Sequence, residues 1–120
     1  MRTAMVCGAL VALTVTAAGA AQDPRFSANH FFPDCKAFAE EPDRPLNFGM
    51  GRCTGIIEGL VYLLDDVSAS PFCVAFPATV STSQAARVVV RYIEARPQRM
   101  HESFARLAME ALHDAWPCRN

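Results

Sequence analysis

The sequence predicts an all-α protein: a small four-helix domain with two disulfides. Apolar residues recur at helical spacing in four separate stretches, whereas β-branched residues form only one short run, at 88–90. Prolines separate these stretches, with two prolines and a glycine within residues 41–49. Four cysteines lie at the predicted junctions of a chain that begins like an exported protein, and cysteines in small exported domains usually form disulfides.

Residues 1–20 are predicted to be a cleaved signal peptide. They contain an N-terminal positive charge, an apolar run over 4–15, and a small-x-small cleavage motif at 18–20. The apolar run is shorter than the ~20 residues that a membrane-spanning helix needs. We therefore expect a mature domain of residues 21–120, without a membrane span.

Composition limits the classes of function. The chain has 120 residues and a formal net charge of −1, and loss of Arg2 with the signal peptide would make the charge −2. A domain of this size has one modest core, and this charge does not favour nucleic-acid binding. The three histidines, His30, His101 and His113, lack the spacing of a metal site. We expect no cofactor and no metal.

The first two helices are predicted from caps and apolar spacing. Asn29 is the expected cap of the first helix, and the second helix spans about 50–66. Apolar residues, including Leu63, cover most of the second helix, which predicts that it is the central one.

The structural-motif glycines of the second helix recur every four residues: Gly51, Gly55 and Gly59. Each costs about 0.5–1 kcal/mol relative to alanine, which indicates that a neighbour approaches the backbone closely there; the alternative is a binding groove.

The third and fourth helices are predicted to form a hairpin. Ser81 and Gln84 fit a capping box at the start of the third helix. Pro97 stops that helix and is expected to be the first residue of the fourth. The fourth helix has an apolar face from Met100 onwards and ends at the structural-motif residues Trp116 and Pro117.

Of the five cysteines, Cys7 would be lost with the signal peptide, and the four that remain allow three disulfide pairings. In an up-and-down bundle Cys35 and Cys53 belong to adjacent antiparallel helices, while Cys73 and Cys118 lie at the end where the second helix exits and the fourth finishes. The predicted pairs are therefore Cys35–Cys53 and Cys73–Cys118.

No catalytic constellation is visible in the sequence. Adjacent residues of a helix point about 100° apart, so His113 and Asp114 do not form a dyad together. There is no phosphate-binding loop or Ser-His-Asp motif, and cysteines in disulfides cannot act as nucleophiles. We predict a protein that is not an enzyme and that acts by binding.

The segment 67–80 is the surface that we expect to bind a partner. It is long for a connection in a small domain, it has apolar tips, and Cys73 fixes it. The predicted partner-binding residues are Ser70, Phe72, Phe76, Thr79, Arg87 and Arg91. The two arginines lie one turn apart on an outer helix face, where they either meet an acidic partner or form a solvated stripe.

The order of motifs carries a family resemblance. An aromatic first helix with a cysteine is followed by the stretch from Gly51 to Gly59 (GRCTGIIEG), Phe72-Cys73, a Ser/Thr-x-x-Gln helix start, and a closing Ala115-Trp116-Pro117-Cys118. Over residues from about 30 to 118 this order resembles the Rap/Tai family of immunity proteins. It departs from the family pattern at Ile56, where an aromatic residue is commoner, and at Trp116, where phenylalanine is.

The resemblance implies a function and a location. Members of that family are periplasmic, all-helical proteins that bind peptidoglycan amidase effectors of type VI secretion. The resemblance also implies a possible homodimer. The exposed Tyr62 or the apolar tips of 67–80 would contribute to its interface. The alternative is an orphan periplasmic binding or chaperone-like envelope protein without a toxin partner. A toxin gene beside this one would favour the first hypothesis.

Overall fold

The computed structural model describes residues 23–66 and 71–119. These residues form four α-helices and two short 3₁₀ helices, and their only β-structure is two isolated bridges. The α-helices are α1 (Ala28–Glu40), α2 (Phe48–Asp66), α3 (Thr82–Glu94) and α4 (Phe104–Ala115). The all-α, four-helix prediction is confirmed. The predicted signal peptide, residues 1–20, and the predicted binding residue Ser70 lie outside the described residues.

The helix at the centre of the fold is α3. It packs extensively against both α1 and α4, whereas α2 packs mainly against α1. The buried residues of α3 follow helical spacing along one face: Ala85, Ala86, Val89, Val90 and Ile93. They meet Phe31 and Phe38 of α1 and Phe104 and Leu107 of α4 in one continuous core. The prediction that α2 is central is therefore wrong.

One face of α2 is buried and the other is not. The buried residues are Met50, Cys53, Ile57, Leu60 and Leu64. Leu63, which the sequence analysis expected to be inside, is 58% exposed. Because successive helical residues are turned by about 100°, Leu63 lies beside Gly59 and Tyr62, away from the core. The number of apolar residues in α2 does not show which of its faces packs against other helices.

The start of α1 differs from the prediction and depends on a distant part of the chain. The helix begins at Ala28, with Ser27 rather than Asn29 at the cap position. Its first two backbone N–H groups, of Ala28 and Asn29, each donate at 2.8 Å to the carbonyl oxygens of Glu102 and Met100. The unpaired N–H groups of a helix start need acceptors, and here the α3–α4 connection supplies them.

Side chains cap the other helices. Asn47 accepts a hydrogen bond from the Met50 N–H at 2.9 Å at the start of α2, and Ser81 accepts from the Gln84 N–H at 3.2 Å, as predicted for α3. Pro97 begins only the short 3₁₀ helix Pro97–Arg99, and α4 starts at Phe104 with Ser103 as its cap. The expected start of the fourth helix was thus wrong, because the residues between form the turn that caps α1.

A partly buried charged cluster closes this end of the α3–α4 hairpin. Arg99 Nη1 donates to Glu110 Oε2 at 2.7 Å, and Arg99 Nη2 donates to Glu102 Oε2 at 2.8 Å. The Tyr92 hydroxyl also donates to Glu110, at 2.9 Å. The Arg96 guanidinium lies 3.6 Å from the centre of the Tyr92 ring, a cation–π distance. Residues of α3, the connection and α4 are thereby joined by charge-assisted hydrogen bonds.

We predict that Glu110→Gln lowers the stability of the domain and changes its dependence on pH. The hydrogen bond from Arg99 is the main reason that the pKa of Glu110 lies below its ordinary value. A lowered folded-state pKa stabilises the fold above the unfolded-state pKa, and this contribution is lost as the pH falls through the folded-state pKa. We expect the variant to lose about 1 kcal/mol of stability near pH 7 and to show a weaker loss of stability in acid.

The measurement is the free energy of unfolding from denaturant titrations between about pH 3 and about pH 7. Asp114→Asn, at an exposed position of the same helix, is the control and should match the wild type more closely. A pH profile of Glu110→Gln identical to that of the wild type would contradict a stabilising role of the cluster.

Candidate functional site

The segment 71–80 is fixed to the end of α4. Cys73 and Cys118 form a disulfide with their Cα atoms 5.6 Å apart. Val74 forms an isolated antiparallel bridge with Pro117, and the Ala75 N–H donates to the Trp116 carbonyl at 2.9 Å. The disulfide and the backbone bridge therefore join three consecutive residues of the segment, 73–75, to the three residues 116–118 that follow α4.

Side chains of α4 strengthen this attachment. His113 Nδ1 lies 2.8 Å from the Cys73 carbonyl oxygen, so this ring nitrogen is the donor. The rings of Phe76 and Trp116 lie 5.6 Å apart between centroids, and those of Phe72 and His113 lie 6.5 Å apart at nearly a right angle. Both phenylalanines are half-buried against the core. They are not the free apolar tips that the sequence suggested, because part of each ring anchors the segment.

Three of the predicted partner-binding residues, Phe76, Arg87 and Arg91, line two separate grooves. A first groove runs between α2 and the end of the segment, and it is lined by Val61, Tyr62, Phe76, Pro77 and Val80. Thr79 is exposed in the same turn of chain. A second groove lies between α1 and α3, where Arg87 and Arg91 sit beside Ala39, Glu40, Val90 and Glu94. The structure thus places Phe76 in one groove and the two arginines in another, and neither Phe72 nor Thr79 lines either of these two grooves.

The second groove carries cations that are not neutralised by neighbours. At its rim Lys36 Nζ lies 2.7 Å from Glu94 and 3.8 Å from Glu40, and the Glu94 hydrogen bond raises the pKa of Lys36. Arg87 and Arg91 are exposed and make no ion pair with any other described residue. The groove thus holds two arginines without an ion pair beside two glutamates that are paired with Lys36.

The cysteine pairing predicted from the sequence is confirmed at both sites. Cys35–Cys53 joins α1 to α2 with Cα atoms 5.4 Å apart and a sequence separation of 18. Cys73–Cys118 closes a separation of 45 residues that includes α3 and α4. By the loop-entropy argument they restrict the unfolded chain by about 3 and about 4 kcal/mol respectively.

The glycines of α2 do not pack closely against a neighbouring helix or loop of the described chain, contrary to the prediction. A Cβ atom placed on Gly51, Gly55 or Gly59 would meet no atom of another part of the described chain within 4 Å. The expected close approach of a neighbour is therefore wrong within this monomer. The three glycines instead lie on the uncovered face of α2, with exposed Phe48 and Tyr62, and Phe48 was missed because the sequence analysis assigned it to the preceding loop.

Among residues 23–66 and 71–119, no group of three or more His, Cys, Asp or Glu side chains converges as metal ligands would. None of the described helices combines the length and the apolar character of a membrane span. In the charged cluster around Arg99, the side chains of Arg99, Glu102, Glu110 and Tyr92 hydrogen-bond to one another.

Comparison with protein families gives one match. The family model described as Rap1a immunity proteins matches residues 27–118, which include all four helices and both disulfides. Searches of curated proteins and of solved structures find no significant match. Because the match covers most of the chain, this protein belongs to the Rap1a family of immunity proteins.

Proposed function

We propose that this protein is a periplasmic immunity protein that binds a type VI secretion peptidoglycan amidase effector and blocks its active site. The signal-like residues 1–20 would be removed on export, and the oxidising compartment would form the two disulfides. The protein would act as a stoichiometric homodimeric inhibitor, not as an enzyme. The observation that carries the proposal is the attached segment 71–80 in a member of an immunity family.

Attachment of the segment 71–80 favours binding because its backbone loses little conformational freedom when the complex forms. A loop that is mobile before binding must lose conformational freedom in the complex, and this loss weakens affinity. The disulfide, the Ala75–Trp116 hydrogen bond and the His113–Cys73 contact hold the backbone in place beforehand. The residues Pro77 to Thr79 remain exposed beside these contacts, and we propose that they enter the cleft of the effector.

The arginines of the second groove supply a complementary contribution. Arg87 and Arg91 are exposed on one flank of α3, one turn apart. Opposite charges at an interface accelerate association and select the partner. We propose that acidic residues beside the effector's active site meet this pair while the segment 71–80 enters the cleft.

The experiment is capture followed by inhibition. The protein, produced in an oxidising compartment and immobilised, is exposed to the envelope and secreted proteins of its own organism with type VI secretion induced. Mass spectrometry identifies what is retained. Retention of a peptidoglycan amidase whose cell-wall hydrolysis the protein then inhibits supports the proposal. Retention of none would favour the orphan envelope function.

We predict that Phe76→Ala and Arg87→Glu each weaken binding of the captured amidase by at least about tenfold. Phe76 loses an apolar contact, and Arg87→Glu places a like charge opposite the acidic partner. Isothermal titration calorimetry measures the dissociation constants. Phe26→Ala and Arg106→Glu alter exposed residues on other elements and are the matched controls. If both test variants bind like the controls, the interface lies elsewhere.

A second prediction separates the two disulfides. Replacing both Cys73 and Cys118 by serine should weaken binding of the amidase by at least about tenfold, because the segment 71–80 must then be ordered on binding. Replacing both Cys35 and Cys53 removes the other disulfide and should lower thermal stability with a smaller effect on affinity. Isothermal titration calorimetry, well below the melting temperature of each folded variant, measures the dissociation constants for the amidase, which are then compared with the wild-type value. Equal losses of affinity would show that attachment of the segment is not specifically required.

A further inference from the structure

Lys36 is the one lysine of the sequence, and it lies at the rim of the groove between α1 and α3. Its Nζ atom donates a hydrogen bond to Glu94 Oε1 at 2.7 Å and lies 3.8 Å from Glu40 Oε1. The same atom lies 5.9 Å from the centre of the Phe32 ring, a cation–π distance. Contacts with both helices therefore hold the ammonium group at the two glutamates of the groove.

The positive excess of this groove depends on Lys36. Arg87 and Arg91 line the groove together with Glu40 and Glu94, so two positive charges stand beside two negative ones. These four charges would cancel without a further cation. Lys36 supplies a third positive charge at the rim and leaves an excess of one. Such an excess attracts an acidic partner and repels a basic one.

Glu94 has a second cation within reach on its own helix. It lies three residues after Arg91 in α3, and residues at this spacing are neighbours on a helix surface, where opposite charges attract each other. The carboxylate of Glu94 nevertheless contacts Lys36 of α1, and Arg91 makes no ion pair with another described residue. Lys36 thus engages the carboxylate that would otherwise attract the Arg91 guanidinium.

We propose that Lys36 is a positioning residue that engages Glu94 and Glu40 so that Arg87 and Arg91 remain free for acidic residues of the effector. The inference rests on the proposed function, in which the two arginines contact the effector, and it names the residue that keeps them available. Without Lys36, Glu94 turns to Arg91 and the groove loses its positive excess. Association with an acidic partner then becomes slower and weaker.

The first test compares the dissociation constants of variants for the captured amidase. Lys36→Met should weaken binding by about threefold to tenfold, whereas Lys36→Arg keeps the charge and should bind like the wild type. Adding Glu94→Gln to Lys36→Met should restore binding, because the carboxylate that engages Arg91 is then absent.

Two controls separate this effect from a general change of charge. Adding Glu40→Gln to Lys36→Met gives the same net charge as adding Glu94→Gln. It should restore less, because Glu40 belongs to α1 and not to the helix of the arginines. Arg25→Met removes an exposed cation that is paired with Asp23 before the start of α1, and it should leave binding unchanged.

The second test needs no effector. Nitrogen-15 NMR of the arginine side chains in the oxidised protein reports whether the Arg91 guanidinium is engaged by a carboxylate. Lys36→Met should shift the Arg91 Nε–H signal and slow its exchange with water, and adding Glu94→Gln should reverse both changes. Arg91→Lys assigns the signal.

The outcomes separate this inference from the proposed function. Weaker binding by Lys36→Met that Glu94→Gln restores better than Glu40→Gln, together with the shifted Arg91 signal, supports the inference. Wild-type affinity of Lys36→Met, equal restoration by the two glutamine changes, or an unshifted Arg91 signal overturns it, even where Arg87→Glu weakens amidase binding as the proposed function requires. If Arg87→Glu leaves amidase binding unchanged, the contact in the proposed function is wrong and the role of Lys36 in binding is overturned with it.

Discussion

The Cys73–Cys118 disulfide joins the chain just before α3 to the chain just after α4, so it closes one end of the central hairpin. The Val74–Pro117 bridge and the His113 contact lie at the same end. The opposite end is closed by Arg99, Glu110 and Tyr92. Contacts thus hold the α3–α4 hairpin at both ends. Because the segment 71–80 is attached to the end of α4, the hairpin determines where the segment lies. The candidate binding surface therefore depends on this covalent link more than on any local preference of the segment.

The remaining helices are added to this support by specific contacts. The first N–H groups of α1 donate to carbonyls of the α3–α4 connection, and the Cys35–Cys53 disulfide attaches α2 to α1. As a result α2 has one face in the core and one face uncovered. This arrangement leaves three surfaces open: the exposed part of the segment 71–80, the groove that holds Arg87 and Arg91, and the outer face of α2.

Features governed by nearby residues were predictable from the sequence. The four helices, the Ser81 cap and both disulfides follow from periodicity, capping chemistry and the adjacency of helices in a small bundle. The starts of α1 and α4 were not, because the acceptors for Ala28 and Asn29 come from residues some seventy positions away. In α2, Leu63 and Leu64 look alike in sequence, yet only Leu64 is buried. The aromatic residues of 71–80 were identified, but their half-burial against His113 and Trp116 depends on the tertiary fold.

Hydrogen–deuterium exchange of the oxidised protein, alone and bound to the amidase that it captures, tests the central claim most directly. The account predicts that the Ala75 amide already exchanges slowly in the free protein, since it is bonded to Trp116. It further predicts that complex formation adds protection across 71–82 and beside Arg87 and Arg91. Rapid exchange of Ala75 in the free protein, or new protection confined to surfaces away from these residues, would contradict it.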